Sequence, residues 1–160
     1  MRFGQAATAG VLLSLALLLT ACGAESTSGS GQATAAPSGA EPAARSSADA
    51  RCRAQLHPFL GSMDALREDL AVGLSYEDYL DELGEAQAVY DRIHADRLSV
   101  GCLLVAAGAG ERALNRYIEA ANVWGDCLAT AACETEAIEP GLQRRWALAS
   151  DFLTSAQSGL

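Results

Sequence analysis

Lysine is missing from the chain, so arginine is its only basic residue of constant charge, and histidine occurs only at His57 and His94. The missing lysine, set beside the excess of alanine, points to GC-rich coding and bears on origin rather than on activity. Aromatic residues are few: two tryptophans, four tyrosines and three phenylalanines. No Cys-x-x-Cys pair is present, which argues against a redox dithiol and, with so few histidines, against a structural zinc site. A P-loop, a nucleophile elbow, a His-Glu-x-x-His helix and a dinucleotide fingerprint are all lacking. Gly108-x-Gly110 has no preceding strand and reads as punctuation within a helix. The chain is therefore expected not to be an enzyme and to need no cofactor.

Cations are also scarce relative to acids, at 11 against 20, for a net charge of −9. That balance makes nucleic acid and anionic membrane surfaces poor partners. The acids are densest at Glu77, Asp78, Asp81, Glu82 and Glu85, a spacing that lays several along one side of a helix. A solvated face accounts for them; no EF-hand loop accompanies them to make a cation site.

Long apolar runs are lacking but for one, Val11 to Leu19, which follows the single charge of Arg2. A helix needs roughly 20 apolar residues to cross a bilayer, so this run is too short for a permanent span and reads as a secretory signal. It ends in Leu19-Thr20-Ala21-Cys22, which resembles the bacterial lipobox: a branched apolar residue, two small residues, then cysteine. The resemblance implies acylation of the Cys22 thiol, removal of residues 1–21 and a membrane partner reached through lipid on Cys22. Loss of Arg2 would take the net charge from −9 to −10. From Gly23 to about Ser46 the chain is rich in Gly, Ser, Ala and Pro, too poor in large apolar groups to offset its ordering entropy. Residues 22–46 are accordingly expected to be a disordered linker, and residues 47–160 the folded domain.

Four cysteines remain, Cys52, Cys102, Cys127 and Cys133. An even number in an exported domain implies two disulfides. Four thiols allow three pairings. Cys127 near a helix end and Cys133 in the loop after it suit a local staple, leaving Cys52–Cys102 as the long-range one.

Apolar residues recur at three- and four-residue steps throughout the domain, and no credible strand is left. Cys52, Leu56, Phe59, Met63, Leu66 and Leu70 mark a first helix, with a kink or restart expected at Pro58. Ser75 reads as an N-cap to a second helix running to about Arg97, through Tyr79, Leu83, Ala86 and Tyr90. A third covers Leu103 to Leu128, long or broken, with a bend expected at Gly108 and Gly110. Pro140 suits the first turn of a fourth, carrying Leu142, Trp146, Ala149 and Leu153. The expected fold is all-α, a disulfide-stapled four-helix bundle whose core leans on Phe59, Tyr90, Tyr117, Trp124, Trp146 and Phe152.

Trp124-Gly-Asp-Cys127-Leu128, then Cys133, then Trp146-Ala-Leu-Ala149 resembles a pattern in small, uncharacterised secreted or lipid-anchored proteins of actinobacterial type. The resemblance implies a stapled helical domain and no activity. The expectation is a lipid-anchored extracytoplasmic protein that binds an envelope protein or cell-wall partner. The alternative is a bundle that binds a small ligand between Trp124 and Trp146, or a metal at His57, His94 and Asp91. A di-iron bundle would need two Glu-x-x-His motifs, where this chain has one Asp-x-x-His.

Overall fold

The computed structural model describes residues 40–160, side chains from Ala44 onward; the expected signal, Cys22 and most of the expected linker lie outside the described residues. Those residues fold as four helices with no strand among them. Helix α1 is Ala40–Val72 and α2 is Tyr76–Tyr90. A short 3-10 turn, Ala95–Arg97, leads into α3, which is built of Val100–Cys102, a π-helical turn Leu103–Ala107 and Gly108–Leu128. Helix α4 is Thr135–Ser158.

Helix α1 begins at Ala40, within the stretch read as linker. Alanine favours the helix, and Pro42 falls in the first turn, where a backbone N–H would have no partner in any case. Pro58 neither ends nor restarts α1. It lies on the exposed face, so water can reach the carbonyl that its missing N–H leaves without a donor.

Helix α2 is capped at Ser75, whose hydroxyl accepts the Asp78 N–H at 3.2 Å while donating to the Asp78 carboxylate at 2.6 Å. Gly73, with φ of 114°, supplies the left-handed residue between α1 and α2. Helix α2 stops at Tyr90 rather than near Arg97. Two turn hydrogen bonds, Arg92 N–H to Val89 and Ile93 N–H to Tyr90, swing the chain over so that Leu98 is buried.

Cys52 is bonded to Cys102, with Cα atoms 5.8 Å apart, and Cys127 to Cys133, with Cα atoms 5.2 Å apart. The long bond pins the start of α3 to α1. The short one closes the α3–α4 turn, and Glu134 directly after it is the N-cap of α4. That early start leaves Pro140 inside α4 instead of in its first turn.

The irregularity of α3 is the π turn at Leu103–Ala107; Gly108 and Gly110 are both helical. Gly110 serves contact between helices, since a Cβ there would lie 3.0 Å from Phe59 Cε1 and 3.1 Å from Leu60 Cδ2. Small residues recur across the bundle: Ala106, Ala109, Ala113, Ala120 and Ala121 of α3 and Ala149 and Ala156 of α4 are all buried. The most extensive interface is α3 against α4. Larger side chains fill the space toward α1 and α2, with Leu56, Phe59, Met63, Leu66, Tyr79 and Tyr117 fully enclosed. Tyr90, Trp124, Trp146 and Phe152 pack against that core from its rim, and the Arg112 guanidinium sits 5.1 Å over the Phe152 ring.

Loop-closure entropy grows with the span a cross-link encloses, so the two disulfides are not equivalent. Replacing Cys52 and Cys102 together by alanine is expected to cost about 4 kcal/mol of stability, and replacing Cys127 and Cys133 about 2 kcal/mol. Chemical denaturation of the two double variants checks this. Equal losses would show that chain entropy is not what separates them.

Candidate functional site

Tyr79 is the polar centre of the interior. Its hydroxyl accepts the Trp146 indole N–H at 3.2 Å and donates to the Tyr117 carbonyl at 2.8 Å, tying α2 to both α3 and α4. Burial holds the Tyr79 phenol well above its ordinary range, against the smaller opposing effect of the Trp146 hydrogen bond. Around it the rings form one connected cluster. Trp124 and Trp146 meet edge-on at 6.0 Å, Tyr76 lies 5.3 Å from Trp124, and Tyr79 lies 5.9 Å from Trp124 and 6.0 Å from Trp146. Sequence reasoning placed Tyr79 on the right stripe but did not single it out, because periodicity assigns a face and is silent on what a hydroxyl meets.

Where Trp124 and Trp146 reach the surface they wall an open groove of about 300 Å³, completed by Leu142, Gln143, Glu136 and Glu139. Glu136 is in the first turn of α4, so its charge already complements the helix dipole. A second cleft, of about 360 Å³, lies between α1, α2 and the π turn; Leu56, Phe59, Tyr90 and Leu103 line it together with Asp91 and Glu111. Burial raises the Tyr90 phenol there, helped by Glu111 and then Asp91. Thr135 also lines the groove, its hydroxyl donating to the Glu136 carboxylate at 3.5 Å, and among the described residues no histidine or cysteine lines either cleft.

The two histidines belong to the same end of the bundle but to different surfaces. His57 lines a cleft with Arg53, Asp64 and Leu160. The His94 backbone N–H donates to Gln55 Oε1 at 3.3 Å at the far end of the α2 turn. Both side chains are exposed, and among the described residues no group of three or more His, Cys, Asp or Glu side chains is placed to hold a metal ion. Along α2, Glu77, Asp78, Asp81 and Glu85 are exposed, and Glu82 is partly covered. Desolvation, followed by Asp69 and then Asp78 and Glu85, raises the Glu82 carboxyl above the usual range.

Tyr117 contrasts with Tyr79. Its hydroxyl is buried without a hydrogen-bond partner, and burial, with Asp64 adding and Arg67 opposing, leaves its phenol pushed up to about 12. The two phenols should therefore respond oppositely to loss of the hydroxyl. Tyr79→Phe is expected to cost about 1 kcal/mol and to shift the tryptophan emission, whereas Tyr117→Phe should be neutral or stabilising. Denaturation followed by fluorescence reads both, and an equal cost would refute the assignment.

Glu82 carries a pH signature. A raised value in the fold means that folding favours the protonated form, so stability falls as pH rises from the unfolded carboxyl's range through the folded one, and the loss is complete above it. Glu82→Gln should gain a few tenths of a kcal/mol at neutral pH, after solvent screening, and nothing in acid below the carboxyl range. A gain that is independent of pH would assign the effect to packing instead.

Compared with family models, with curated proteins and with solved structures, the chain finds no match.

Proposed function

We propose that the chain is the precursor of an exported lipoprotein, held to the membrane by lipid on Cys22, whose stapled bundle is a non-enzymatic binding module of the cell envelope. The observation that carries this reading is the pair of disulfides, Cys52–Cys102 and Cys127–Cys133. Such bonds persist in oxidising compartments and are rare in a reducing cytosol. They agree with a signal-like N-terminus ending in Leu19-Thr20-Ala21-Cys22, a resemblance that ties export to anchoring. No described helix is long and apolar enough to cross a membrane.

The non-enzymatic part is supported by what the perturbed groups do. The Tyr79 phenol ties α2 to α3 and α4, Glu82 lies on an acidic helix face, and Tyr90 lines a separate cleft; the three do not converge in one cleft. The pattern around Trp124, Cys127, Cys133 and Trp146 is proposed on the same footing to mark small actinobacterial-type envelope proteins. A small-ligand reading is favoured by one observation, the groove walled by Trp124 and Trp146, where an apolar ligand would quench or shift indole emission.

Two acyl chains at about 0.8 kcal/mol per buried CH₂ hold a protein stably in a bilayer. The wild type is expected to enter the detergent phase on partitioning, with a mature N-terminal peptide beginning at an acylated Cys22. Cys22→Ala should lack the acyl mass and the lipid-dependent partitioning. Unmodified Cys22 in the wild type, or a soluble pool of free thiols at Cys52, Cys102, Cys127 and Cys133, would defeat the proposal.

A further inference from the structure

The groove at the junction of α3 and α4 has aromatic walls and an acidic rim. Its walls are the partly buried Trp124 and Trp146, whose rings stand 6.0 Å apart at 65°, so that they form adjacent sides of a corner rather than a stack. The corner is braced by residues that do not line it. Tyr76 packs on Trp124 at 5.3 Å, and its hydroxyl donates to the Ala121 carbonyl at 3.4 Å. Gly125 makes room for it, since a Cβ there would overlap that hydroxyl. The Trp146 indole N–H is engaged by Tyr79, so that ring offers the groove no donor.

Glu136 and Glu139 complete the rim. With Leu142, Gln143 and Trp146 they recur at three- and four-residue steps along α4, which places all five on one stripe. Among the described residues neither carboxylate is paired with an arginine. Arg144 and Arg145 belong to another side of α4. A Cβ on Gly141 would lie 3.3 Å from Arg145 Nη1 and 3.9 Å from Arg144 Nη2, and Arg145 Nη1 donates to the Gly141 carbonyl at 2.9 Å. Gly141 is two residues from both Glu139 and Gln143, about 200° around the helix from each. The start of α4 carries the equivalent of about half a positive charge, which the exposed Glu134, Glu136 and Glu139 together outweigh.

We propose that this groove binds a small organic cation with an alkylated ammonium, its methyl groups in the Trp124–Trp146 corner and its charge beside Glu136 and Glu139. The proposal rests on reading the groove as a small-ligand site and specifies the ligand. Aromatic rings attract a cation through their quadrupole, tryptophan most strongly, and the attraction grows as water is displaced. An alkylated ammonium gives up its water more readily than a bare ammonium or a metal ion, and its methyl groups bury apolar surface against the indoles. An anion would meet two carboxylates, and a neutral apolar molecule would leave them without a counter-charge. A volume of about 300 Å³ is at the lower end for ligand clefts and suits one such head group.

The test is a titration of the full chain with choline in a non-ionic detergent at constant ionic strength, followed by tryptophan emission. Trp124 and Trp146 are the only tryptophans of the chain, so emission reports on this groove and not on the Tyr90 cleft. Choline should change the emission saturably in the millimolar range, and sodium chloride should not. The neutral alcohol in which carbon replaces the choline nitrogen should bind about tenfold more weakly. Glu136→Gln with Glu139→Gln should weaken choline about tenfold. Glu68→Gln with Glu85→Gln, which removes the same charge from exposed positions of α1 and α2, should leave its affinity unchanged. All four glutamates are exposed, and cooperative denaturation verifies that both double variants are folded. Equal affinity for choline and the neutral alcohol, or an equal loss in the two double variants, overturns the cation assignment while leaving the groove a site for small apolar ligands. Emission that neither compound moves defeats the small-ligand reading as well.

Discussion

The bond between Cys52 and Cys102 sets the geometry from which the other features of the bundle follow. It holds the first residue pairs of α3 against α1 at a Cα separation of 5.8 Å, while the alanines further along α3 draw that helix into close contact with α4. The π turn Leu103–Ala107 lies between the disulfide and that close contact, and the buried positions Cys102, Ala106, Ala109 and Ala113 keep their three- and four-residue steps through it, to where Gly110 meets Phe59 and Leu60. Leu104 and Val105 are exposed because they fall on the side of the helix away from that stripe.

The interior is held by two kinds of contact that divide the bundle along its width. Between α3 and α4 the buried residues are mostly alanine, so backbones approach closely and little volume needs filling. Toward α2 the filling is aromatic, and there the Tyr79 hydroxyl aligns three helices through its contacts with Trp146 and Tyr117. A buried phenol with both hydrogen-bonding capacities used costs little in desolvation, whereas the Tyr117 hydroxyl, with none used, is a cost the surrounding packing must offset. The two tyrosines, alike in sequence, do opposite things to stability.

Much of this was legible in the sequence, and the limits have physical reasons. The stripes of α1 to α4, the Ser75 cap and the absence of strand among the described residues follow from side-chain spacing, because spacing decides which residues share a face. The helix ends are less legible. Ala40 begins α1 in a stretch whose small residues look like linker, since helix propensity without a buried face leaves no periodic signal there. Pro58 and Pro140 both lie within helices, where the tertiary packing of the turns around them outweighs one lost hydrogen bond each. Where a bend was expected at Gly108 and Gly110, both are helical, and the irregularity of α3 is the π turn Leu103–Ala107 just before them. The aromatic residues were placed on inward stripes, yet the roles of Tyr79 and Tyr117 depend on where single hydroxyl groups end up. Periodicity carries no information about that.

The same distinction applies to charge. A net value for the chain describes its average field, and on that basis an acidic protein should avoid anionic surfaces. Within about 10 Å, the screening length near physiological salt, a surface responds to the charges facing it rather than to the total. The bundle is longer than that length: α1 alone, at about 1.5 Å per residue, extends several screening lengths from Ala40 to Val72. Charges at its two ends are therefore screened from each other. What a surface meets at one end of such a domain is the local set of charges, at the Cys52–Cys102 end arginines interleaved with Asp49, Asp91, Asp96 and Glu111, and the net value of the chain does not describe that set.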